Sequence, residues 1–151
     1  MAVIVKPLSK NFQVKFKYEN EEIIFTFHQL DYKTKSEITS MVTNVRNGQV
    51  TIDATLQVFY NIKYGLKDVK GIEDAEGNPY KLQFEDNTKK ELTDECVDEL
   101  LATELSDGIQ FTARELTNAV LPSAILHPLT KKPIEGIEVM PAEKTVVKKK
   151  S

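Results

Sequence analysis

A length of 151 residues, of which 40% are hydrophobic and 28% charged, suits one globular domain with a sizeable core. The net charge of −3 gives no general attraction to nucleic acid, and one cysteine with two histidines makes a zinc site of these residue types improbable. The single cysteine also excludes an internal disulfide, which suits a reducing cytoplasm. No apolar run reaches the roughly 18 residues of a membrane span, and residues 1–7 are too short for a signal peptide, so we expect a soluble intracellular protein.

After an entry arm over residues 1–10, a pattern of period two begins. Apolar and polar residues alternate from Phe12 to Tyr18, and apolar residues return from Ile23 to Phe27 after a polar break over 19–22. Alternation with β-branched and aromatic residues around a short polar break is typical of a β-hairpin. We therefore predict a hairpin over residues 12–27, with one apolar face that later elements cover.

Residues 30–47 are polar with a sparse stripe of helical spacing. The stripe consists of Ile38, Met41, Val42 and Val45. Spacings of three and four residues place these side chains on one face of a helix. We predict a single helix that Asp31 or Thr34 caps and that Asn47-Gly48 ends.

Residues 50–66 fit two patterns. Strict alternation from Val50 to Val58 is typical of a strand. A helical face is also present, and it consists of Ile52, Leu56, Val58, Phe59, Tyr60, Ile62 and Leu66. Some 15 residues without a turn signal exceed the usual strand length. We favour a helix from Ile52 to Tyr64 that ends in a left-handed Gly65, and the strand remains the alternative.

Residues 69–84 predict a second hairpin. The segment 73–78 is rich in turn residues, and Pro79 restricts Asn78 to an extended backbone. Tyr80, Leu82 and Phe84 then alternate with polar residues, as in a return strand.

An acidic amphipathic helix follows over residues 92–105. Thr93 is a plausible N-cap, and seven carboxylates without a Lys or Arg lie from Glu91 to Ala113. The apolar face consists of Leu92, Cys96, Val97, Leu100, Leu101 and Leu105. We expect Asp107-Gly108 to break this helix. A second, short helix is expected to begin with a capping box at Thr112 and to end at Pro122.

From residue 122 the composition changes. Four of the six prolines lie here, and the last 21 residues carry six lysines against three glutamates. Such a segment buries too little apolar surface to offset its chain entropy, although 134–139 has the pattern of a strand that forms against a partner. We predict one α+β domain over residues 1–121, in which two short hairpins pack with three to four α-helices. Residues 122–151 are predicted to form an extended or disordered tail.

Catalytic and ligand-binding motifs are missing from the sequence. There is no Gly-rich phosphate loop, nucleophile elbow or calcium loop, and His28, His127 and Cys96 are best explained as structural or solvent-exposed residues. We therefore expect a protein that is not an enzyme and that needs no cofactor or metal. The basic end Lys148–Lys150 suits an acidic surface, but it lacks the interleaved aromatic residues of a nucleic-acid binder.

One region has a predicted helix that leads into Gly65-Leu66, then a turn over Asp74–Gly77 and a short strand over Tyr80–Leu82. This order resembles the tail assembly chaperones of long-tailed, siphovirus-type bacteriophages. In that family a helix leads into a Gly-Leu pair, then an Asp-x-x-Gly turn and a short strand. An acidic helix that starts Leu92-Thr93-Asp94-Glu95 and a polar helix ending near Asn118 follow in the family's order, so the resemblance covers roughly residues 50–120.

The resemblance implies binding in the host cytoplasm. A member of this family would hold the tape-measure protein soluble while tail-tube subunits polymerise around it, would be missing from the finished virion, and would form a homo-oligomer in some cases. A longer form made by ribosomal frameshifting in the lysine codons near the end is a further implication. The helix 92–105 and the hairpin 69–84 are the candidate contact regions. The candidate partner-binding residues are Leu66, Val69, Tyr80, Leu82, Glu95, Glu99 and Leu100.

Two other classes of function remain open. One is a structural virion component, such as a tail-terminator or head–tail connecting protein, whose tail 122–151 would order on its neighbour. The other is a small regulatory or nucleic-acid-binding protein.

Overall fold

The computed structural model describes residues 11–117, 124–127 and 129–140. These residues form six strands in two sheets and four α-helices, so the predicted α+β class and helix number are confirmed. The elements are β1 (Phe12–Tyr18), β2 (Glu21–Phe27), α1 (Tyr32–Val42), β3 (Thr43–Arg46), β4 (Gln49–Ile52), α2 (Ala54–Gly65), β5 (Leu66–Lys70), α3 (Asp94–Leu101), α4 (Ser106–Arg114), a 3₁₀ turn (Glu115–Thr117) and β6 (Ile137–Val139).

The predicted N-terminal hairpin is confirmed. Strands β1 and β2 pair antiparallel from Phe12 opposite Phe27 to Tyr18 opposite Glu21. The two turn residues Glu19 and Asn20 both have positive φ angles, of 48° and 68°, which is the backbone of a primed two-residue turn. The predicted polar break was two residues too long, since the strand already begins at Glu21.

Four antiparallel strands form the main sheet, in the order β5-β2-β1-β6. Strand β6 pairs with β1 through Phe16 opposite Ile137 and Val14 opposite Val139, and Ile125 is fully buried. Part of the segment predicted to be a tail thus belongs to the domain, and the strand expected over 134–139 forms on this chain's own β1. Residues 141–151 of the predicted tail lie outside the described residues.

The single helix predicted over residues 30–47 is right only as far as Val42. Its predicted cap is present, since the Thr34 amide donates to Asp31 Oδ1 at 2.8 Å. Beyond it, β3 and β4 pair around Asn47-Gly48, which have φ angles of 51° and 79°. Asn-Gly between alternating residues is a strong hairpin signal, and it ends strand β3 here instead of the helix.

Helix α2 confirms the helical interpretation of residues 52–64, with Ile52 kept in β4 and Asp53 as the N-cap. The predicted left-handed role of Gly65 is wrong, because its φ angle is not positive. Gly65 instead packs closely on a buried side chain: a Cβ atom there would lie 2.5 Å from Leu116 Cδ1, so Leu116 would have to shift.

The hairpin predicted over residues 69–84 forms only next to its turn, where Glu73 and Pro79 share an antiparallel bridge and the Tyr80 amide donates to the Ile72 carbonyl at 2.8 Å. Val69 pairs with Phe25 of β2, so its backbone is already used in the main sheet. The turn itself exists, with the Asp74 amide donating to the Asn78 carbonyl at 2.8 Å, but residues 80–84 have no strand beyond one bridge at Phe84. The second short hairpin of this fold is β3–β4.

The acidic helix is confirmed as α3, although it ends at Leu101 and not at the predicted Leu105. Its cap is the predicted Thr93, whose Oγ1 accepts from the Cys96 amide at 3.1 Å. The predicted break at Asp107-Gly108 is wrong, because both residues lie inside α4. The capping box at Thr112 is wrong as well: this residue is buried in α4, and its hydroxyl donates to the Gly108 carbonyl at 2.8 Å.

One hydrophobic core joins the buried face of the sheet to the helices. Phe16 and Phe25 stack at 4.9 Å between ring centroids within it, and Ile62 and Ile109 reach it from α2 and α4. Gly108 lets α4 pack closely on the sheet, since a Cβ atom there would lie 2.9 Å from Phe16 Cε2. None of the helices in the described part of the chain is long and apolar enough to cross a membrane.

Candidate partner-binding surfaces

The hairpin β3–β4 presents an apolar face that the described part of the chain leaves uncovered. Val45 lies opposite Val50, and Thr43 lies opposite Ile52, so these four side chains share one side of the hairpin. The exposed fractions are 68% for Val45, 66% for Val50 and 54% for Ile52. We call these four residues the hairpin face.

The opposite side of the hairpin is polar. It carries Asn44, Arg46, Gln49 and Thr51, of which only the arginine is charged. The base of the hairpin is fixed to the domain, because the Asp53 amide donates to the Val42 carbonyl at 2.9 Å. A two-stranded hairpin alone is marginally stable in water, so an amphipathic one with its apolar side open is suited to binding a partner.

Helix α1 extends this surface. A shallow depression runs along its exposed side past Tyr32, Lys35 and Thr39 to Thr43, where the hairpin begins. Met41 is also exposed near the end of the helix. An open polar surface with single apolar side chains thus continues directly into the hairpin face.

Three of the predicted contact residues are part of the core. Leu66 and Val69 lie in β5 and Leu100 in α3, and all three side chains are buried. They hold the fold together, so they are not available for contact with a partner of the folded chain. Leu82 is half-buried and packs against the same core.

Tyr80 and Glu99 are brought together, whereas Glu95 is an exposed residue of α3. The Tyr80 hydroxyl donates to Glu99 Oε1 at 2.8 Å and lies 3.3 Å from Cys96 Sγ. Burial, together with the hydrogen bonds to Cys96 and Glu99, raises the pKa of Tyr80 far above its usual value. This cluster fastens the loop before α3 to the helix.

A buried lysine joins α2 to α3. Lys63 Nζ lies 2.6 Å from Asp94 Oδ1 and 3.3 Å from Glu85 Oε2, and its own side chain is only 9% exposed. Burial disfavours the charged ammonium, but the hydrogen bonds to Asp94 and Glu85 outweigh this effect and raise the pKa of Lys63. With all its charges paired, this cluster has a structural role.

No group of three His, Cys, Asp or Glu side chains within the described part of the chain is placed to hold a metal ion. Cys96 is buried, and burial with the nearby Lys67 lowers the pKa of His28. Lys67 itself donates to the carbonyls of Lys89 and Lys90, which is a loop-fixing role.

Sequence reasoning missed the hairpin face. Val45 was assigned to the helix before Asn47-Gly48, and Val50 and Ile52 to the element after it. The signal that finds the hairpin is the Asn-Gly dipeptide flanked on both sides by alternating apolar and polar residues.

Comparisons of the chain with protein-family models, with curated proteins and with solved structures gave no match.

Proposed function

We propose that this protein is a non-catalytic tail assembly chaperone of a long-tailed bacteriophage. In this role it binds the tape-measure protein in the host cytoplasm, keeps that long helical chain from aggregating, and recruits tail-tube subunits to it. The resemblance supplies the identity of the partners, and the surface of the molecule supplies the mode of binding.

The observation that carries the proposal is the uncovered hairpin face. Most soluble domains bury the apolar side of an amphipathic hairpin, and here Val45, Val50 and Ile52 remain more than half exposed. A flat apolar strip without carboxylates suits the apolar stripe of an amphipathic helix. The partner would thereby cover the strip and lose its own exposed apolar surface.

The size of the strip indicates a weak contact. Burying three aliphatic side chains contributes on the order of 1.5 kcal/mol or more each before the cost of association is subtracted. A single contact of this kind is easily reversed, and several chaperone molecules along one partner chain would add up to firm capture. Reversibility also lets tail-tube subunits displace the chaperone during assembly.

The test is co-expression with the long helical protein encoded in the same gene cluster, followed by affinity capture. Three threonine substitutions on the hairpin face, Val45→Thr, Val50→Thr and Ile52→Thr, keep β-branched side chains and so preserve the strands. A matched control, Asn44→Thr with Gln49→Thr, changes the opposite side. We expect the wild type and the control to capture the partner, and the triple variant to lose it.

Two outcomes would contradict the proposal. Capture by the triple variant would remove the hairpin face from the mechanism, and failure of the wild type to capture either the tape-measure or the tube protein would remove the chaperone function. Mass spectrometry of purified virions adds an independent test. We expect the protein to be missing from mature particles, whereas its presence would establish the structural alternative.

A further inference from the structure

A second surface, separate from the hairpin face, is an apolar cleft of about 280 Å³. It lies between the β1–β2 turn, the residues that follow β5 and the α3–α4 connection. Its apolar lining comes from Ile23, Ile72 and Leu105, with the ring of Tyr18 at one side. Gly71, at a φ angle of +96°, lets the chain pass close to β2 at the edge of the cleft.

The rim of this cleft is acidic. Four glutamates line it, and no Lys or Arg is among the lining residues. They are Glu19, Glu21, Glu73 and Glu104. None of these carboxylates forms an ion pair within the described residues. An apolar floor inside an unpaired acidic rim fits a segment that combines aliphatic side chains with several positive charges. We call this surface the acid-rimmed cleft.

The chain itself contains such a segment after its last described residue. Residues 141–151 read Pro-Ala-Glu-Lys-Thr-Val-Val-Lys-Lys-Lys-Ser, with four lysines against one glutamate and a Val146-Val147 pair. We propose that this segment docks in the acid-rimmed cleft of its own chain. Val146 and Val147 cover the apolar floor, and Lys148–Lys150 lie among the rim carboxylates.

The chain is long enough to make this contact with β6 still paired. The Met140 amide donates to the Gln13 carbonyl, which fixes the start of the segment near the beginning of β1. From Gln13 to Tyr18 a strand covers roughly 17 Å, and two strand spacings add about 10 Å sideways. The straight-line distance is therefore about 20 Å. Eight extended residues, 141–148, span up to about 27 Å, which brings Lys148 to the rim.

The expected contact is weak and depends on salt. Exposed ion pairs contribute less than about 1 kcal/mol each, and salt at 0.5 M screens them over a few ångströms. Attachment to the same chain raises the effective concentration of the segment to the millimolar range, which is enough to populate a weak docked state. Docking would also neutralise the charge of both surfaces.

The test is carbodiimide cross-linking of the full chain, which joins carboxylates to lysines only at direct contact. An equal mixture of unlabelled and ¹⁵N-labelled protein separates links within one chain from links between copies by mass. We expect Lys148–Lys150 to link to Glu73 and Glu104 within one chain at about 20 mM salt. The yield should fall several-fold at 0.5 M salt and in the variant Val146→Ser with Val147→Ser, which leaves the domain unchanged.

A matched pair of variants tests the docking in the cleft by proteolysis, without a cross-linking reagent. In Glu73→Gln with Glu104→Gln, we expect trypsin to cut after Lys148 and Lys149 several-fold faster at low salt. In the control Glu95→Gln with Asp98→Asn, which removes two charges from the exposed side of α3, the rate should not change. Circular dichroism verifies that both variants fold.

Three results would overturn the inference. They are links spread evenly over Glu95, Asp98 and the rim, links found only between labelled and unlabelled copies, and equal trypsin rates in the two variants. The second result would identify a neighbouring copy as the source of the docked segment.

Discussion

Lys63 and Asp94 form the closest ion pair of the described residues, 2.6 Å from Nζ to Oδ1, between the last turn of α2 and the first turn of α3. The lysine is nearly buried, whereas the aspartate is mostly exposed. Asp94 therefore compensates the positive charge of Lys63, which the fold buries. The aspartate also lies at the positive end of α3, which stabilises its own charge.

The first prediction concerns the buried charge at Lys63. Lys63→Met keeps the aliphatic packing and removes the charge, so we expect a loss in the free energy of unfolding below about 1.5 kcal/mol. Lys63→Glu leaves a carboxylate facing Asp94 and Glu85, and we expect a loss of about 3–5 kcal/mol. Urea unfolding at pH 7 measures both. Similar losses for the two variants would show that packing, not charge pairing, determines the stability of this site.

The second prediction is a loss of stability at alkaline pH. Burial and a hydrogen bond to Glu91 raise the pKa of Tyr64 from its usual 10.0 to about 12. Between these values the unfolded chain loses the phenolic proton while the folded chain keeps it, so stability falls as pH rises. The raised pKa of Lys63 acts in the same direction, since its ion pairs are lost as pH rises through that pKa.

Urea unfolding at several values from pH 8 to pH 11.5 measures this effect, with tyrosinate absorbance as the direct probe. In Tyr64→Phe the decline between pH 10 and pH 11.5 should be shallower than in the wild type. An identical decline in the two proteins would rule out Tyr64 as a source.

The third prediction concerns Gly108. Alanine in a helix is favoured over glycine by about 1 kcal/mol, yet here its Cβ would lie 2.9 Å from Phe16 Cε2 and 3.1 Å from Ile137 Cδ1. We expect Gly108→Ala to lower the unfolding free energy by about 1–2 kcal/mol, because the clash outweighs the helix preference.

Thermal and urea unfolding measure this change. The double variant Gly108→Ala with Ile137→Val removes one of the two close atoms and should recover part of the loss. Ser36→Ala, on the exposed side of α1, reports the helix preference without a clash and should be neutral or slightly stabilising. A stabilised Gly108→Ala protein would contradict the close packing of α4 on β1 and β6.

The fourth prediction separates the two sides of α3. Leu100 is 2% exposed, so Leu100→Asp places a charge in the core and should abolish cooperative unfolding or cost more than about 4 kcal/mol. Glu99→Ala removes the acceptor of the Tyr80 hydroxyl and should cost about 1 kcal/mol. Glu95→Ala, which changes an exposed side chain, should lie within about 0.5 kcal/mol of the wild type. Circular dichroism during urea unfolding measures all three, and equal folding of Leu100→Asp and Glu99→Ala would contradict the assignment.

Local chemistry predicted much of the fold. The alternation over 12–27 and the caps Asp31 and Thr93 depend on neighbouring residues, and the structure has each of them in place. The predictions were wrong where contacts with residues distant in sequence determine the local structure. Nothing near Gly108 in sequence reveals that Phe16 and Ile137 fill the space around it, and nothing near Val69 reveals that β2 is its partner.

The partner-binding residues were harder to predict than the fold, because the sequence does not show what covers an apolar face. An apolar face at helical spacing looks alike whether the core or a partner covers it, and Leu66, Val69 and Leu100 proved to be covered by the core. Val45 and Val50 are among the exposed apolar side chains, and there the strand pattern is hidden inside a longer helical one. Only the three-dimensional arrangement separates the two cases.

The position of β6 has a consequence for synthesis of the chain. The hairpin β1–β2 is complete at Phe27, but the partner of its β1 edge begins about 110 residues later, at Ile137. At ribosomal rates of 5–20 residues per second, the hydrogen-bonding groups of that edge remain unpaired for roughly 5–20 s, until β6 has been synthesised. During that interval a nascent chain exposes an aggregation-prone edge with Phe12, Val14 and Phe16 along it. This protein, which is proposed to protect another chain from aggregation, is therefore itself most prone to aggregate during its own translation.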